Sequence, residues 1–152
     1  MKKKQERGFG AIATILIVVA LAAMAAAIVR LATGSNRALA DDVLAARALQ
    51  AAYAGKEWGL YQALHAGGPW NGNCSGLSQT LDLTADFGLH VTVSCNAIVY
   101  NESMQANGTT VRTVRVFTLD AVACNSTSCP DNARALQPGY VERRVLAQAN
   151  SP

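Results

Sequence analysis

Four cysteines, two histidines and one pair of adjacent aspartates have the spacing to decide what chemistry this 152-residue chain can do. His65 and His90 stand apart, with no neighbouring pattern that marks a ligand pair or a catalytic triad. Asp41 and Asp42 resemble a paired acid, but adjacent residues on a helix point to different faces. Solvated charge, or an ion pair with Arg47, is the simpler use of them. No glycine loop of the phosphate-cradling type is present. The expectation is a non-enzymatic protein with no metal and no cofactor. Trp58 and Tyr61 suggest a carbohydrate platform, yet at helical spacing such residues serve core packing more often. The Asn-x-Ser/Thr matches at Asn73, Asn101, Asn107 and Asn125 are read as chance in an Asn/Ser/Thr-rich chain.

The cysteines are the informative set. Cys74, Cys95, Cys124 and Cys129 all lie far from the N-terminus, and an even number in a translocated domain reads as two disulfides. Three pairings are formally open. Cys74 with Cys95 and Cys124 with Cys129 is favoured, because the second pair closes a short loop rich in turn formers, Cys124-Asn125-Ser126-Thr127-Ser128-Cys129-Pro130. Zinc is the competing use of Cys-x4-Cys, but no Cys-x2-Cys or His pair accompanies it.

The elements that hold these residues begin with an apolar span. Residues 9–29, Phe9 to Val29, carry no formal charge, and a helix of that length covers roughly 31 Å, the hydrocarbon thickness of a bilayer. The preceding leader, residues 1–8, holds Lys2, Lys3, Lys4, Arg7 and Glu6. Removing these four cations and one anion from the totals of 13 and 10 leaves nine of each, so the net charge of +3 belongs to the leader. That excludes a nucleic-acid reading of the basic pI. Lysines before an apolar span hold that end in the cytoplasm and send the rest across the membrane. Two other uses of the same hydropathy are a cleavable signal peptide, with Ala38-Leu39-Ala40 before Asp41 as its site, and an uncleaved single-pass anchor.

Alanine is dense from Ala20 to Ala54 and no proline precedes Pro69, so one helix is expected from about Gly10 to about Leu64. Thr33-Gly34-Ser35-Asn36 invites a bend or local break. Leu44, Ala48, Ala51, Gly55 and Trp58 form one helix face that needs a partner. Turn chemistry from His65 onward ends the helix, and β-rich runs follow at about Leu77–Leu83, Leu89–Tyr100, Thr110–Val122 and Tyr140–Ala147, with Asn107-Gly108 as a hairpin connection. The fold class is α+β: a long N-terminal helix laid on an antiparallel sheet of three or four strands. The organisation reads as a leader (1–8), a membrane-spanning half-helix (9–29), an exported amphipathic half (30–64) and a disulfide-bonded β-rich region (65–152).

Gly8-Phe9, after a basic leader and opening an apolar helix, resembles the prepilin peptidase site of type IV pilins and type II secretion pseudopilins. The resemblance implies cleavage after Gly8 and methylation of the new amine on Phe9. It also implies packing of the N-terminal helix against other major and minor pilins, and contact with an inner-membrane assembly platform. Most family members carry Glu at the fifth mature position, where this chain has Ala13. Without that acid a subunit cannot neutralise a neighbour's buried N-terminal ammonium, which suits a minor or tip subunit. Val43-Leu44-Ala45-Ala46-Arg47-Ala48, Ala54-Gly55-Lys56-Glu57-Trp58-Gly59-Leu60-Tyr61-Gln62 and Val91-Thr92-Val93-Ser94-Cys95 are similar to the MSHA biogenesis (MshP-type) minor pilins, and the helix also to the PilX group. That likeness implies a pilus-biogenesis role supporting surface adhesion in a Gram-negative bacterium. The protein would sit in the inner membrane with a periplasmic domain before assembly and on the cell surface after it.

Overall fold

The structure, a computed structural model, describes residues 8–105 and 108–151. Leader residues 1–7 and Asn107 of the expected hairpin turn lie outside them. One helix and four strands make an α+β chain: α1 (Gly8–Leu64), β1 (Leu77–Leu83), β2 (Leu89–Met104), β3 (Val111–Cys124) and β4 (Glu142–Ser151). The strands form a single antiparallel meander in the order β1-β2-β3-β4. The chain divides into two compact units, Met1–Ala40 and Asp41–Pro152.

The helix spans the expected length and runs through its weakest segment. Thr33-Gly34-Ser35-Asn36 stays helical throughout, so the expected break is absent. Thr33 supplies part of the reason: its hydroxyl donates to the Val29 carbonyl at 2.7 Å, one turn back, instead of capping a new helix start. Alanine-rich sequence on both sides then carries the helix across Gly34. The helix stops at Leu64, where Gly67 takes φ +86° and Gly68-Pro69 follows.

In the second unit the helical face named by Leu44, Ala48, Ala51, Gly55 and Trp58 meets the sheet. Ala48, Ala51, Ala52 and Ala63 are fully buried with Leu89, Val91, Val93, Phe117 and Leu119, while Leu44 and Trp58 are half-buried at the margin. The small residues permit close approach. A Cβ on Gly55 would stand 2.5 Å from Val91 Cγ1, and one on Gly59 would stand 2.9 Å from Val93 Cγ1 and 3.1 Å from Leu119 Cδ2. Trp70 closes the lower end of this core, edge-on to Trp58 with ring centroids 5.1 Å apart.

On the opposite sheet face, the segment between β3 and β4 folds back over the sheet. Val122, Cys124 and Cys129 form a small buried cluster there with Tyr140 against it. At the other end of the sheet β2 and β3 continue past β1 and β4 as a two-stranded ribbon, from Tyr100↔Val114 to Met104↔Val111, with a register shift between Asn101 and Ser103.

Candidate functional site: the apolar helix surface

The first unit presents an apolar surface with nothing packed on it among the described residues. From Gly10 to Ala40 every described side chain is exposed, Ile12, Leu16, Val19, Met24, Ile28 and Leu31 among them. By length and composition α1 can cross a membrane. Its polar groups agree with an apolar solvent: Thr14 donates to the Gly10 carbonyl at 2.7 Å, as Thr33 does to Val29, so both hydroxyls are satisfied inside the helix. Gly8 opens the helix, and Ala13 lies in its second turn, an exposed methyl where an acid would add a charge. Ala22, Ala26 and Ala27 are small and exposed, which suits close contact with a second helix.

The structure pairs Cys74 with Cys95 and Cys124 with Cys129. The first bridge ties the loop after α1 to the middle of β2, on the face that meets the helix; the second closes a six-residue loop at the end of β3. The remaining residues singled out from sequence are dispersed. His90 Nε2 lies 3.8 Å from Asp82 Oδ1 on the outer sheet face, while His65 stacks on Tyr61 at the end of α1, centroids 4.8 Å apart. Tyr61 is exposed and Trp58 is turned into the core, so they do not share a platform. Asp41 and Asp42 border a shallow pocket of about 250 Å³ with Tyr140, Glu142 and Arg143. No group of three His, Cys, Asp or Glu side chains able to hold a metal occurs among the described residues.

Sequence reasoning missed a polar knot in the β3–β4 segment. Asp131 accepts the backbone N–H groups of Ala133 and Arg134 at 3.1 Å each and the Ser126 hydroxyl at 2.6 Å. The Ser126 bond, ahead of the backbone ones, holds its carboxyl below the usual carboxylate range. The Tyr140 hydroxyl accepts from the Asp131 N–H and donates to Glu142 at 2.5 Å; burial first, then Glu142, raises its pKa. Asn125 completes the knot by donating to the Gly139 carbonyl and accepting from the Val141 N–H. The one signal for it in sequence is a short polar side chain, Asp131, placed just after Pro130, where an Asx-type turn is favoured. Comparison with protein-family models, curated proteins and solved structures gives no match to this chain.

Proposed function

We propose that this chain is a minor pilin-like subunit serving biogenesis of a type IV pilus of the MSHA type, priming assembly or sitting at the tip and so supporting surface adhesion. The observation that carries the reading is the continuity of α1, from an exposed apolar stretch into the small-residue face of a disulfide-bonded sheet unit. The Gly8-Phe9 junction after a basic leader supports the same reading from the sequence side. In this role the chain is structural and not catalytic. A prepilin peptidase cuts after Gly8, the Phe9 helix resides in the inner membrane, and the disulfide-bonded region faces the periplasm until the subunit enters a surface filament. Ala13 favours a minor position, because it offers no carboxylate to a neighbour's N-terminal ammonium.

The test is intact mass and N-terminal sequencing of the protein from cells that express a matching prepilin peptidase. A chain starting at methylated Phe9, with processing blocked by replacement of Gly8, is the expected result. A chain starting at Asp41 would make it a secreted protein, and one retaining Met1 a simple membrane anchor; either outcome overturns the proposal.

A further inference from the structure

The sheet ends in two strands that each leave one backbone edge unpaired among the described residues, β1 on one side and β4 on the other. Such edges template pairing with another chain unless a proline, a bulge, a covering segment or charge without an opposite partner blunts them. Neither strand contains proline, and neither the β1–β2 nor the β3–β4 ladder has a register shift. What the edges do carry is charge of opposite sign. Asp82 on β1 has a side chain 68% exposed, and Arg144 on β4 has one 61% exposed. Both lie on the outer face of the sheet, since the ladders align Thr80 with Thr92, Val122 and Arg144, and Asp82 with His90, Cys124 and Glu142.

The meander makes β1 and β4 antiparallel to each other, so the β4 edge of one copy meets the β1 edge of a second in the same orientation without either turning over. At equal level this would set Asp82 against Glu142, two like charges. A slide of two residues keeps every side chain on its own face and sets Asp82 opposite Arg144, with Thr80 opposite Leu146, Leu81 opposite Val145 and Gln79 opposite Ala147. All seven residues of β1 then find partners within the ten of β4. Pairing β1 with β1, or β4 with β4, puts no opposite charges face to face in a two-fold arrangement centred on either strand. We propose that a second copy of this chain docks by strand addition, its β4 edge on the β1 edge of the first, in the register that places Asp82 opposite Arg144. The contact is heterologous, so it leaves a free edge at each end and can extend to further copies. It does not depend on the chain entering a filament.

Thiol pairing in the full chain, purified in detergent micelles, tests this directly. Opposite positions on antiparallel strands have Cα atoms about 4.5–5.5 Å apart, a span that a disulfide bridges. Thr80→Cys and Leu146→Cys chains, mixed under mild oxidant, should give one mixed dimer with its bridge between positions 80 and 146. Both substitutions leave Asp82 and the Asp120–Arg144 ion pair in place. Adding Asp82→Arg to the Thr80→Cys chain should abolish the dimer while the circular dichroism of the chain stays unchanged. Leu136→Cys, at a side chain 93% exposed, measures chance collision. A bridge no more frequent than that control, a dominant 146–146 dimer, or a mixed dimer indifferent to Asp82→Arg would each overturn the proposal.

Discussion

At two positions of α1 a single methyl group decides how close the helix can lie to the sheet. Alanine in place of glycine inside a helix ordinarily stabilises it by about 1 kcal/mol. At Gly55 the new Cβ would press on Val91, a fully buried side chain on a central strand with no room to yield, and overpacking of that kind costs about 1–3 kcal/mol. Gly55→Ala should therefore lower stability by up to about 2 kcal/mol, the overpacking cost less the helix gain, read from the thermal loss of the near-ultraviolet signal of the Trp58–Trp70 pair. Gly34→Ala, which meets nothing within 4 Å, should not lower it. Sequence periodicity located Gly55 on the buried face; it could not reveal that the contact is too tight for a methyl. A second residue-scale prediction concerns acid. The Asp131 carboxyl titrates below its unfolded value of about 3.9, so the stability it contributes is complete above that value and is lost as pH falls through the lower folded one. Asp131→Ala should flatten the acid limb of a plot of thermal midpoint against pH while lowering the midpoint at neutral pH. An acid limb as steep as in the parent chain would show that other carboxylates govern it, Asp82 first, since the Thr84 hydroxyl lowers its pKa too.

At the scale of elements the two disulfides have unequal work. The Cys74–Cys95 bridge spans a sequence separation of 21 and ties the loop between α1 and β1 to β2; the Cys124–Cys129 bridge spans 5. By chain entropy the longer loop gains about 3 kcal/mol and the shorter about 2. Replacing Cys74 and Cys95 together by serine should thus lower stability more than replacing Cys124 and Cys129. Denaturant midpoints of the two double variants would check the order, and equal losses would show that the short bridge also anchors the polar knot around Asp131. The strands themselves were legible because the alternation Leu89, Val91, Val93, Cys95 survives in the buried face of β2. Their length was not. The expected end at Tyr100 falls short of Met104, since Asn101-Glu102-Ser103 holds no apolar residue to continue the alternation. In the structure Asn101 and Ser103 pair with Thr113 and Arg112 of β3, and Glu102, the extra residue at the register shift between them, lies 3.4 Å from Arg112. Cross-strand pairing of this kind is non-local, and a one-dimensional pattern does not contain it. The Thr33–Asn36 break failed for the opposite reason: a local signal was overruled by the helical sequence flanking it.

At the scale of the whole chain, two bodies of different chemistry share one helix. Unit Asp41–Pro152 holds the buried core and both disulfides, and no buried side-chain nitrogen or oxygen among the described residues lacks a hydrogen-bond partner. Unit Met1–Ala40 has no buried residue among those described and exposes a run of Ile, Leu and Val that water would not tolerate on a monomer. The division predicts how the pieces behave apart. A chain restricted to residues 41–152 should dissolve without detergent and melt cooperatively, because the apolar surface it must bury is already buried within itself. It loses the helix turns before Asp41, yet every buried position of α1, from Ala48 to Ala63, remains. The full chain, in contrast, should stay with the membrane fraction through alkaline extraction, which strips peripheral proteins and leaves an inserted helix in place. A broad, uncooperative melt of the 41–152 piece would mean that the sheet unit draws stability from the turns before Asp41. Release of the full chain at alkaline pH would mean that its exposed apolar surface is covered by protein and not by lipid.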